Sequence, residues 1–99
     1  MIGIDVQDST LYQISVSPSA AVFSGVLPGG FYEIFADEAD IYVKNFASGE
    51  ATGSFSTGYP IWAGNSARIK VSDGGKIGFI CKSGQPTITV EYMLVHVSL

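Results

Sequence analysis

Thr57-Gly58-Tyr59-Pro60-Ile61-Trp62-Ala63-Gly64 leads into the alternating run Ser66-Ala67-Arg68-Ile69-Lys70-Val71, and this junction decides the fold class. Pro60 fixes φ and lacks a backbone donor, so Tyr59 and Pro60 are expected to be extended. Gly64 supplies the freedom for a tight turn into the next strand. From Ser66 onward Ala67, Ile69 and Val71 point one way and Arg68 and Lys70 the other, the period-two pattern of a half-buried strand. The chain approaches a sheet, delivers an aromatic and an aliphatic side chain, and turns. This is architecture rather than a reaction centre.

The same grammar extends in both directions. Downstream, Asp73-Gly74-Gly75 reads as a hairpin turn into the strand Lys76 to Lys82, and Ser83-Gly84-Gln85-Pro86 as another into the final strand. Upstream, Phe31 to Phe35 and Ile41 to Lys44 flank the acidic turn Asp37-Glu38-Ala39-Asp40, a third predicted hairpin. Asn45 to Ser56 reads as a surface loop that has room for a short strand, with Phe46 and Phe55 as its large apolar anchors. Leu11 to Val16 alternates as a strand, Ser17-Pro18-Ser19 breaks it, and Ala20 to Phe23 reads as a short strand before Leu27-Pro28-Gly29-Gly30. Residues 1–10 form either a first edge strand or an arm. Turn signals recur roughly every eight to twelve residues, and no stretch shows helical periodicity with caps. The expected fold is a single all-β domain over residues 1–99, an antiparallel β-sandwich of about eight strands with a jelly-roll route.

The final strand carries an irregularity. Ile88, Val90, Tyr92 and Leu94 share one face, but Val95, Val97 and Leu99 are apolar on the face that Thr87, Thr89 and Glu91 make polar. Either a one-residue bulge restores a single inward face, or the last residues are apolar outside, where another subunit covers them.

Composition narrows function. Of the 99 residues 46% are hydrophobic and 14% charged, against roughly 25% charged in an ordinary soluble domain. So few charges favour a surface partly covered by a partner, although Gly, Ser and Thr also solvate. The net charge is −4, and the five basic residues, Lys44, Arg68, Lys70, Lys76 and Lys82, form no stripe, which argues against nucleic-acid binding. Cys81 is the single cysteine, so neither an internal disulfide nor a thiolate zinc cage is expected, and a buried thiol in a reducing compartment is. No run approaches the ~20 apolar residues of a membrane-spanning helix, and the sequence reads as soluble.

Candidate chemistry is sparse. His96 is the single histidine, too few for a cupin-like metal centre. Asp37, Glu38 and Asp40 cluster, but without the Gly-punctuated spacing of a calcium loop. Glu33, Glu50 and Glu91 offer carboxylate pairs of the kind any acidic chain offers. Gly29-Gly30 and Gly74-Gly75 belong to turns rather than to a phosphate-binding strand–glycine–helix unit. No catalytic, cofactor or metal residues are assigned, and no enzyme activity is expected. Tyr59 and Trp62 remain. Exposed, they stack on sugar rings or fill a partner's pocket; buried, they plug one end of the sandwich.

The order of these features resembles the small structural proteins of tailed bacteriophage virions. The resemblance runs over residues 31–94: the acidic turn and Ile41-Tyr42-Val43-Lys44, the Gly/Thr-rich loop, Gly58-Tyr59-Pro60-Ile61-Trp62-Ala63-Gly64, a strand, a Gly turn, Lys76-Ile77-Gly78-Phe79-Ile80, Ser83-Gly84 and a closing Thr87-Ile88-Thr89-Val90 strand. Such proteins often carry a Gly-x-Pro-Leu-x-Ala-Gly turn and an Ile-x-Ala-Ile-x-x-Ser-Gly-x-Ala-x-Val-x-Val ending. Here Ile61-Trp62 and Phe79-Ile80-Cys81 are bulkier than that pattern. The resemblance implies a homo-oligomeric capsid decoration, cement or fibre-associated protein, made in the host cytoplasm and carried on the virion. Tyr59, Trp62, Val95, Val97 and Leu99 are the expected contact residues. The rival reading is a carbohydrate-binding or adhesin-like module with Tyr59 and Trp62 as a stacking platform.

Overall fold

The computed structural model describes residues 11–97, and the proposed arm or edge strand at residues 1–10 lies outside them. Among the described residues eight strands form two antiparallel four-stranded sheets. They are β1 (Leu11–Val16), β2 (Val22–Phe23), β3 (Gly30–Ala36), β4 (Ile41–Phe46), β5 (Tyr59–Ile61), β6 (Asn65–Val71), β7 (Lys76–Cys81) and β8 (Ile88–Val97). One sheet runs β1-β8-β3-β6 and the other β2-β7-β4-β5. Pairing β1 with β8, β2 with β7, β3 with β6 and β4 with β5 is the nested order of a jelly roll.

Period-two patterning builds the core between the sheets. In β3, Tyr32, Ile34 and Ala36 are fully buried while Phe31, Glu33 and Phe35 face outward and are partly exposed. Val16, Ile41, Val43, Val71, Ile77, Phe79 and Val90 complete the enclosed set. Three tyrosines and a phenylalanine tie it together: Tyr12 stacks on Tyr92 at 5.0 Å, Tyr32 lies 6.4 Å from Tyr12, and Phe79 lies 5.1 Å from Tyr92. The Tyr32 hydroxyl donates to the Pro28 carbonyl at 2.7 Å, and burial, with Tyr12 and Tyr92 adding to it, pushes its pKa up to about 12. Burial likewise raises the Cys81 thiol, whose Sγ lies 3.3 Å from the Val16 carbonyl.

All three expected hairpins are instead crossings between the sheets. β3 and β4, β6 and β7, and β7 and β8 each belong to opposite sheets. The physical reason is reach. A four-residue link spans roughly 13 Å when extended, enough to bridge sheets about 10 Å apart. The inward residues of both flanking strands then meet face to face across the core rather than side by side. Among the described residues, β4 and β5 are the one consecutive pair sharing a sheet, and residues 47–58 join them.

The irregularity in the last strand is a bulge. Phe31 faces His96 and Tyr32 faces Leu94, so the register shifts and Val95 is the additional residue. Val95 is 8% exposed, which accounts for an apolar side chain where simple alternation predicts a polar one.

Phe46 closes β4, and the loop after it holds no strand. Phe46 alternates with inward-facing Val43 and Ile41, so it lies on the outer surface of its sheet, where it packs with Phe23 at 5.7 Å and Phe55 at 6.2 Å. Loop 47–58 thereby folds Phe55 back over the sheet. A side chain at Gly78 would meet Phe55 Cε1 at 2.6 Å and Phe46 Cε1 at 3.0 Å, so the glycine makes room for both rings.

Candidate functional site

β5 is the outer strand of its sheet, and β6 the outer strand of the other. Pro60 is tolerated in β5 because an edge strand leaves one side of its backbone unpaired. Ile61 points inward and is buried. Trp62 then opens a tight turn: the Asn65 N–H donates to the Trp62 carbonyl at 3.0 Å, and Gly64 has φ +84°. A positive φ at the third position of such a turn is the type II requirement, and it suits glycine.

Asp40 fixes this corner. Its Oδ1 accepts the Ala63 N–H at 2.8 Å, its carbonyl accepts the Lys82 N–H at 2.9 Å, and its own N–H donates to Gln85 Oε1 at 3.1 Å. Gly64 N–H donates to the Ala36 carbonyl. One residue thus joins the loops between β3 and β4, β5 and β6, and β7 and β8. The carboxylate considered for a cation serves as a loop staple.

This corner holds Trp62 outward. Trp62 is 48% exposed and Tyr59 59%, so neither plugs the core. The Lys82 ammonium lies 5.3 Å from the Trp62 ring centroid, a cation–π contact. Tyr59 shares the inward side of β5 with Ile61 yet remains exposed, because it sits where the two sheets part. Asn45 on neighbouring β4 is exposed in the same way and donates from Nδ2 to the Lys70 carbonyl of β6 at 2.8 Å.

Two open depressions follow this parting, and Tyr59 lines both. One, of about 330 Å³, is lined by Tyr59 to Trp62 with Asn65, Ser66 and Ala67. The other, of about 530 Å³, is lined by Val43, Lys44, Asn45, Thr57, Gly58 and Tyr59 from one sheet and its loop, and by Arg68, Ile69 and Lys70 from the other. Arg68 Nε lies 3.3 Å from Glu33 Oε1, and Glu33 Oε2 accepts the Ser66 hydroxyl at 2.6 Å. Among the described residues, Lys70 forms no ion pair.

Of the five expected contact residues, Tyr59 and Trp62 therefore stand together on one exposed edge. Val95 lies in the bulge of β8, in the other sheet, and is enclosed by its own chain. Val97 pairs with Gly30, and Leu99 lies outside the described residues. Sequence reasoning missed that Lys44, Arg68 and Lys70 border one depression, although strand alternation sends Lys44 to the outer face of one sheet, beside Phe46, and Arg68 and Lys70 to the outer face of the other. The period-two spacing of Arg68 and Lys70 was visible, whereas the depression they share with Lys44 depends on β4 and β6 facing each other across the sandwich. Among the described residues, no group of three or more His, Cys, Asp and Glu side chains is placed to hold a metal ion, and no helix is long and apolar enough to cross a membrane. Comparisons with protein-family models, curated proteins and solved structures give no match to this chain.

Proposed function

We propose that this chain is a non-enzymatic structural protein of a phage virion, binding the capsid surface as a decoration or cement protein and forming homo-oligomers. The observation that carries the reading is the outward position of Tyr59 and Trp62 within the Gly58–Gly64 segment, where the resemblance to virion proteins is strongest. Aromatic side chains held at a rim by a rigid turn supply large contact area at small entropic cost, which suits an assembly surface. Repetition on a symmetric particle multiplies a modest contact. Trp62→Asp tests it. Wild-type protein is expected to co-sediment with capsids and to run as an oligomer in light scattering, and the variant to lose both while keeping its β-sheet spectrum. A wild-type monomer that ignores capsids would overturn the reading.

A carbohydrate-binding use of the same edge is the second reading. It is favoured by the two open depressions that meet at Tyr59. A glycan array separates the two: sugar binding that disappears in a folded Tyr59→Ala variant supports this use.

A further inference from the structure

We infer that the outer edge of β1 takes residues 2–6 of a second copy as an added antiparallel strand, each copy giving its segment to the other. This rests on the homo-oligomer part of the proposed function and is independent of capsid binding.

Among the described residues the sheets end in β1 and β6 on one side of the core and in β2 and β5 on the other. Three of these edges are closed to a further strand. β2 has two residues, and β5 has three with Pro60 in the middle. β6 carries Arg68 and Lys70, and Asn45 Nδ2 occupies its Lys70 carbonyl at 2.8 Å. Short length, proline and charge are the features that keep sheet edges from pairing with other chains. β1 has none of them. Leu11-Tyr12-Gln13-Ile14-Ser15-Val16 holds no charge, proline or glycine, and it pairs with β8 without a register shift. At its far end Cys81 meets the Val16 and Ser17 carbonyls, but no strand among the described residues covers the edge before that. Tyr12 and Ile14, on its inward side, are only partly buried, so core surface as well as backbone is left uncovered there.

Parity identifies the occupant. Ten residues precede β1, outside the described residues, and in their sequence Ile2, Ile4 and Val6 alternate with Gly3 and Asp5. Their period matches that of β1, and extended they reach roughly 33 Å. Placing them on the inward side, beside Tyr12 and Ile14, sets Val6 opposite Tyr12 and Ile4 opposite Ile14. A return within one chain in that register leaves Asp8-Ser9-Thr10 as a three-residue loop. Such loops end on a left-handed residue, for which glycine is suited and a β-branched threonine is not. A four-residue loop, Gln7 to Thr10, shifts the register by one and turns Ile2, Ile4 and Val6 to the outer face. Between two copies the inward register needs no turn. A two-fold axis at Ser9 lays residues 2–6 of each copy against β1 of the other, with Asp8 opposite Thr10 of the second copy at the crossing, carboxylate beside hydroxyl. Asp5 then falls opposite the uncharged Gln13.

Light scattering on the full chain reads the association, and non-reducing electrophoresis reads the register. Wild type is expected to be a dimer at micromolar concentration. Ile4→Pro, which removes a strand donor, should raise the dissociation constant at least about tenfold while the circular-dichroism spectrum is kept. Asp5→Cys with Gln13→Cys should oxidise to a species of dimer size. Ser9→Cys alone should do the same, because Cys81 is buried and only a second copy brings another thiol to that position. A link that runs as a monomer in the double variant would overturn the exchange in favour of a return within one chain. A dimer that Ile4→Pro leaves unchanged and that neither cysteine variant cross-links would overturn this surface while leaving self-association intact. A wild-type monomer would overturn both, and capsid co-sedimentation reads the virion assignment separately.

Discussion

Two groups of aromatic side chains leave the same sheet in opposite ways. Phe23, Phe46 and Phe55 fold together over its outer surface, with Phe46 only 4% exposed, while Tyr59 and Trp62, a few residues beyond Phe55, stand in solvent. The difference lies in the backbone beneath them. Loop 47–58 is long enough to return Phe55 onto the sheet, and Gly78 leaves the space it fills. The segment after it has no such freedom, since Pro60 is paired at the edge and the turn at Gly64 is stapled to Asp40 and Ala36. An aromatic that the chain can fold back is used for stability, and one held at a rigid corner remains available for contact.

Substitutions sharpen that contrast. Phe46→Ala should cost the most, about 3 kcal/mol in chemical denaturation, because it empties a buried ring site that Phe23 and Phe55 share. Gly78→Ala should cost about 1–2 kcal/mol and raise protease cleavage in loop 47–58, since the added methyl pushes Phe55 off the sheet. Unchanged cleavage would show that Phe55 does not anchor the loop.

A third, fully enclosed ring adds a dependence on pH. Tyr32 has its pKa raised from 10 to about 12, so the folded protein keeps a proton that the unfolded chain releases. This contribution to stability is complete below pH 10 and is lost as pH rises toward 12. Tyr32→Phe should flatten that alkaline decline, measured as denaturation midpoint against pH. The smallest effect belongs to the exposed group. Trp62→Ala should change stability by less than about 1 kcal/mol, the scale of its contact with Lys82, while abolishing partner or glycan binding. A larger stability loss would place Trp62 with the packed aromatics.

Strand identity was legible because period-two patterning is local. Leu11–Val16 appears as expected, and the apolar inversion at Val95 correctly signalled a bulge as one of its two readings. Strand pairing was not legible. Asp37 to Asp40 has the composition of a hairpin turn, but whether a short polar link folds back within one sheet or crosses to the other depends on what the inward faces meet. That is a property of the whole chain. The site divides in the same way: Tyr59 and Trp62 could be named from one segment, whereas the outward hold on Trp62 depends on Asp40, and the depression beside Tyr59 on β4 and β6 facing each other.

The nested strand order also sets a timetable. β8 is the central partner of β1 and β3, so their sheet cannot assemble until residues 88–97 are available. On the ribosome, where residues are added at roughly 5–20 per second, β1 waits on the order of several seconds for its partner. During that interval its apolar side chains are without their native cover. Folding is then expected to be a single late event, slow for a protein of this size because its pairings join distant parts of the chain.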